Sequence, residues 1–242
     1  MGTSMTTTIA VAGRRDDRFF FVGMALAMAA TVFAGFAPTF YVRPGTLPAL
    51  STLLVVHGTL FTSWMLIFVA QTSLIAAHRV DLHRRLGIGA AVLALAMVAI
   101  GIAAAVDALR RGVAPLPGID PRSFFAIPAG AMIAFAILVG AGLLNRANGP
   151  AHKRLMLLAT ISILEAAIAR WPVPLIHQSG PPAFFGLTDL FVVVAIAYDF
   201  FSRRRVHPTY LWGGLLIIVL QALRLLISGT SGWLAFADWL QH

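Results

Sequence analysis

Between residues 48 and 77 this chain carries no Asp, Glu, Lys or Arg. An uncharged stretch of that length matches the hydrocarbon thickness of a bilayer and exceeds what a soluble core helix needs. Read against turn and breaker residues, seven comparable runs cover roughly 18–41, 49–77, 86–108, 123–145, 155–176, 182–201 and 209–230. They are separated at Pro44-Gly45, the charged stretch 79–85, and the segments 115–121, 148–150, 180–182 and 203–208. The expected fold is therefore an all-α, polytopic transmembrane bundle of seven spans over 18–230. A tail over 1–17 precedes it, and an interfacial tail over 231–242, with Trp233, Asp238 and Trp239, follows it. The first run comes after Arg14, Arg15 and Arg18 and is longer than a signal-peptide core, so it reads as a retained span.

Only 11% of the residues are charged, about half the share usual in soluble proteins. The net charge of +9 is accordingly not a nucleic-acid signature, because the basic residues sit in short loops between spans. With the N-terminus in the cytoplasm, Arg14, Arg15, Arg18, Arg79, Arg84, Arg85, Arg146, Lys153, Arg154, Arg203, Arg204 and Arg205 fall inside. Arg43, Arg110, Arg111 and Arg122 fall outside. Twelve against four is a positive-inside bias; it places the C-terminus outside and reads as a bacterial inner (cytoplasmic) membrane protein. The chain has no cysteine, which excludes disulfides, thiolate zinc sites, iron–sulfur clusters and cysteine nucleophiles. Retinal chemistry needs a buried lysine, and the one lysine, Lys153, lies at a cytoplasmic boundary. No H-E-x-x-H, G-x-S-x-G or Gly-rich phosphate loop is present, so no reaction is legible.

The second run carries His57, Trp64, Gln71 and His78 at seven-residue intervals. Seven residues is nearly two helical turns, so the four side chains share one stripe that drifts about 20° per step. A polar stripe on an apolar helix faces protein or a cavity. Two cytoplasmic loops also end alike: His83-Arg84-Arg85-Leu86-Gly87 before the third span, and His152-Lys153-Arg154-Leu155-Met156 before the fifth. Basic residues there hold orientation and meet anionic lipid, but histidine in the same slot of both copies needs another account. His57-Gly58, Gln71, the loop from Asp81 to Gly87 and the loop from His152 to Met156 resemble a broad set of uncharacterised bacterial multi-pass membrane proteins. Those carry an H-R-x-L-G loop followed by an H-R-x-x-M loop. The resemblance covers spans two to five and implies a fold without an established activity.

Histidines on membrane helices raise the possibility of haem b, whose iron takes two axial ligands from facing helices. His57 and His78 are 21 residues apart, about 31 Å of rise, and cannot serve one haem. An inner haem would use His83 and His152; an outer one would need His57 with His177, which reads as a loop residue. A second layer of ionisable residues lies in the outer half: Glu165 near the midplane, Asp189 about 3 Å outside it, Arg170 and Arg224 about 6–7 Å, and His57 about 8–9 Å. Asp189 is the expected partner of Arg170 or Arg224, leaving one arginine for Glu165 or a bound anion. Three functional classes follow. The first is a protein binding haem or a quinone-like ligand for electron transfer, with a small hydrophobic or anionic molecule as partner besides the bilayer. The second is a small proton-linked transporter. The third is an accessory protein whose polar groups only hold helices together. On the sequence, His57 and Trp64 belong to the outer layer, Gln71 and His78 to the inner, and the outer layer is the better candidate for function.

Overall fold

A computed structural model describes residues 4–114 and 118–242, with side chains from Asp17 onward at the N-terminal end. The side chains of Arg14 and Arg15, and residues 115–117 of the loop expected after the third span, lie outside the described residues. All regular structure among the described residues is helical: α1 (Ser4–Phe36), a π-helical turn (Ala37–Tyr41), α2 (Thr52–Ala76), α3 (Val80–Arg110), α4 (Pro121–Phe124), α5 (Ala126–Leu144), α6 (Gly149–Ile161), α7 (Glu165–Ile168), α8 (Pro174–Ser179), α9 (Pro181–Arg203), α10 (Pro208–Ile227) and α11 (Ser231–Gln241). Six helical stretches are long and apolar enough to cross a membrane: Asp17–Tyr41, Thr52–Ala76, Val80–Arg110, Pro121–Leu144, Pro181–Arg203 and Pro208–Ile227. The chain is a multi-pass membrane protein.

The run expected over 155–176 is not one helix. It is split into α6, a turn at 162–164, the single turn of α7, and α8, which also takes up His177. This segment packs against α1, α5, α9 and α10, and Leu157, Leu158, Ile161, Leu164 and Ala167 are fully buried. Up to Ile168 it is largely enclosed by protein, and its irregular turns keep local backbone bonds such as Leu164 N–H to Ile161 O and Ala167 N–H to Leu164 O, whereas Pro172, Val173, Pro174 and Leu175 are exposed.

Helix starts follow local chemistry. Ser51, Asn148 and Thr230 accept from the backbone N–H three residues on, and proline stands in the first turn of α4, α6, α8, α9 and α10. Among the boundaries that differ from expectation, two fall at the basic loops. α3 begins at Val80 and α6 at Gly149, so both basic loops are first turns of helix rather than connectors. α2 ends at Ala76, and His78 takes a left-handed backbone (φ 61°) in the tight turn to α3. It therefore leaves the stripe, which keeps only His57, Trp64 and Gln71.

One end of the bundle is basic and tied across helices. Asp17 of α1 accepts from Lys153 of α6 (2.5 Å) and from Arg203 of α9. Arg154, with no exposed surface, makes a bidentate pair with Asp199 of α9 (2.9 and 2.5 Å). At the opposite end α11 lies on α3 and α4: Arg122 contacts Asp238 (3.1 Å), Trp233 donates to the Arg122 carbonyl, and Gln241 to that of Leu109 (both 2.9 Å).

Candidate functional site

α1 packs on α2, α2 on α3, α3 on α5, α5 on α6, and α6 back on α1. These helices line a cavity of about 1360 Å³ in the basic half, open on the side where Ile88 and Val92 of α3 are exposed. Trp64, Phe68 and Phe21 line its apolar depth, Gln71, His83 and His152 its middle, and Arg18, Arg84, Arg146 and Lys153 its basic end. Trp64 thus belongs with Gln71 in the inner half rather than with His57. Its indole N–H donates to Thr160 Oγ1 (3.2 Å) and its ring meets Phe135 edge-on, so its polar atom is satisfied by the scaffold.

His83 and His152 are each the fourth residue of their helix, and their backbone N–H groups make the equivalent first bonds, to Arg79 (3.1 Å) and Asn148 (2.8 Å). The repeated motif thereby places both imidazoles at one level, with ring centres 6.3 Å apart and planes at 85°. His152 Nδ1 lies 2.8 Å from the Gly142 carbonyl. A carbonyl only accepts, so in that bond Nδ1 carries the proton, and in the neutral ring Nε2 is left as a lone pair. This is the orientation by carbonyl that metal-ligating histidines use. His83 Nδ1 and Gln71 Oε1 are both buried without a hydrogen-bond partner among the described residues. Buried polar atoms without a partner cost about 1–3 kcal/mol each, and both of these residues line the cavity, where water or a bound group would satisfy them.

The outer layer is built differently. Arg224 pairs bidentately with Glu165 (2.6 and 3.0 Å), donates to the carbonyls of Ile127 and Leu220, and stacks over Phe185. Gly130 on α5 makes room for it: a Cβ there would collide with Arg224 Cδ. Asp189 does not meet an arginine. It accepts from Gln221 of α10 (3.1 Å), because Gln221 and Arg224, one turn apart, present to different neighbours. Arg170 has no carboxylate partner among the described residues; it donates to Ala166 O and lies over Phe36. His57 stacks on Phe61 within electrostatic reach of Arg170, and its buried Nδ1 has no hydrogen-bond partner among the described residues. The expected cluster is therefore two units: a satisfied Arg224–Glu165 pair with Asp189–Gln221 beside it, and a separate Arg170–His57 neighbourhood.

Sequence reasoning passes over Arg18, Arg84 and Arg146 as cavity residues, and over the Arg154–Asp199 pair. Each looks like an ordinary basic or acidic residue at a span end, and only the lateral packing of helices brings them to the cavity or to each other. No protein family, curated protein or solved structure matches the chain.

Proposed function

We propose that this is a seven-span protein of a bacterial inner membrane, basic end in the cytoplasm, that holds haem b in the inner cavity for electron transfer. His83 and His152 would hold it. The path of the chain supports a seventh crossing: α5 ends at the basic face beside His152 and α9 also ends there, with α6–α8 between them. The excess of Lys and Arg at that face supports its cytoplasmic placement.

The observation that carries the haem reading is the His83–His152 pair. Two imidazoles on opposite sides of one metal ion, each about 2 Å from it, have ring centres roughly 6 Å apart. The observed 6.3 Å meets that requirement. The apolar depth of the cavity suits a macrocycle, and the cations at its basic end suit carboxylate substituents. Arg84 there has no ion-pair partner among the described residues. Bound iron would supply one-electron redox chemistry. The chain's own part is to fix the His152 tautomer through Gly142, to exclude water with Trp64 and Phe68, and to hold the anionic edge toward the cytoplasm. On this reading the two H-x-R loops are ligand loops.

The test is the visible spectrum of detergent-purified protein from haem-sufficient cells. A Soret band that shifts on reduction is expected, and its loss in His83→Ala and in His152→Ala. A colourless wild-type protein ends the haem reading. A quinone-like ligand in the same cavity would be extracted without iron.

A second reading has its own support: the Arg224–Glu165 pair is satisfied within the bundle, as in an accessory protein whose polar groups only join helices. A proton-linked transporter would instead draw on His57, and His57→Ala would abolish proton-coupled flux while leaving any pigment in place.

A further inference from the structure

Behind the haem cavity, where α9 turns into α10, lies a smaller cavity of about 390 Å³, room for about a dozen waters. Arg154, Asp199, Arg203, Arg205 and His207 line it. Arg204, at the C-terminal cap of α9, adopts a left-handed backbone (φ 56°), and the reversal leaves Arg203 and Arg205 lining the same cavity.

The one carboxylate in the lining is already used. Asp199 takes the bidentate pair from Arg154, the backbone N–H of His207 (3.2 Å), and Arg203 Nε at 3.5 Å. Three guanidinium groups against one carboxylate leave two positive charges in excess in this wall. Arg203 spends another bond on Asp17, outside the cavity. Arg205 has no hydrogen bond or ion pair among the described residues. His207 Nδ1 accepts from the Thr209 N–H (3.2 Å), so the proton of the neutral ring is on Nε2, a donor with no acceptor among the described residues. The start of α10 is already capped: Pro208 has no N–H, that of Thr209 goes to His207 Nδ1, and that of Tyr210 goes to the His207 carbonyl. Any anion here is recognised by side chains and not by a bare helix end.

We propose that this corner binds a phosphate group, held by the Arg205 and Arg203 guanidiniums and His207 Nε2–H. A planar fork with several donors matches the tetrahedral oxyanion better than the point charge of a lysine does. The cavity lies at the basic end of the bundle, at head-group level, and basic pockets between membrane helices on the cytoplasmic side recognise anionic lipid head groups. The same chemistry fits the phosphodiester of an anionic lipid and a soluble phosphate. Arg203 lines both cavities, but Arg205 and His207 line only the smaller one, so the Arg205→Gln comparison is read independently of haem.

The experiment is native mass spectrometry of the full chain in detergent, titrated with phosphatidylglycerol or with phosphatidylcholine of the same acyl chains. In parallel, the melting temperature is followed as inorganic phosphate or pyrophosphate is added at constant ionic strength. Wild type, Arg205→Gln and the double variant Arg203→Gln/Arg205→Gln are compared. Preferential phosphatidylglycerol adducts that weaken about fivefold per arginine removed support the site and assign it to lipid. A rise in melting temperature with phosphate, lost in the variants, supports it and assigns it to a soluble anion. Equal adducts of both lipids with no phosphate response, or wild-type binding by Arg205→Gln, overturn it. Arg203 clamps two helices, so if the double variant fails to fold the decision rests on Arg205→Gln, which removes no bond of the scaffold.

Discussion

The Arg224 guanidinium of α10 and the Glu165 carboxylate of α7 form a two-point pair at 2.6 and 3.0 Å with both side chains almost wholly buried. The pair joins the irregular central segment to the last long helix. Leaving either charge alone at this depth costs far more than the pair gains, typically about 3–5 kcal/mol. Arg224→Ala and Glu165→Ala are therefore expected to lower thermal stability in detergent severely. Glu165→Leu with Arg224→Met recovers most of the loss. Normal accumulation of Arg224→Ala would show that the pair does not hold the bundle.

Gly130→Ala tests the same pair from α5. The added Cβ meets the Arg224 side chain, which is fixed at both ends of its guanidinium and has little room to yield. A destabilisation of about 1–3 kcal/mol is expected, read by unfolding in mixed detergent micelles.

The ligand assignment makes a selective spectroscopic prediction. His83→Ala and His152→Ala each lose the Soret band, whereas His57→Ala keeps it. Replacing Gly142 by Ala pushes a Cβ onto Met156 Sδ (2.8 Å) and disturbs the carbonyl that orients His152. A reduced α-band that is broadened or shifted, with haem retained, is the expected result.

His207 carries a pH prediction. Burial, and then the nearby Arg154 charge, hold its pKa below the ordinary histidine value. Its folded pKa lies below its unfolded value near 6.5, so the unfolded chain takes up the proton first. The stability contribution is fully present above about pH 6.5 and is lost as the pH falls from there toward the folded value. His207→Asn keeps a capping side chain and does not titrate, so it is expected to show a smaller drop in melting temperature between pH 7.5 and 5.5.

Orientation is accessible through the absence of cysteine. Ser202 and Ser231 are exposed and lie at opposite ends of the bundle. In intact cells an impermeant thiol reagent is expected to label Ser231→Cys, and to reach Ser202→Cys only after permeabilisation. The reverse pattern would invert the proposed topology.

Much of this arrangement is legible in the sequence, for physical reasons that can be named. Apolar length locates the helices, and the repeated loop motif brings His83 and His152 to the same helical position and hence to the same level. Helix ends are less legible, because hydropathy marks where lipid begins, whereas α3 and α6 start a full turn or more earlier in polar residues. Depth along a helix is readable from residue count, but azimuth between helices is not. That is why Asp189 pairs with Gln221 and not with an arginine; Trp64, midway along α2, is given to neither layer by depth, and only its packing makes it part of the inner cavity wall. The break at 162–164 carries no sequence signal, since Ser162, Ile163 and Leu164 are all acceptable in a helix.

That break has a consequence for biogenesis. A segment that is short, interrupted and bearing Arg154 and Glu165 is a poor candidate to partition into lipid by itself, whatever the insertion machinery offers it. Its neighbours α1, α5, α9 and α10 must supply the surroundings it lacks. On the proposed topology this strut is then expected to settle late, admitted to the membrane by helices made both before and after it.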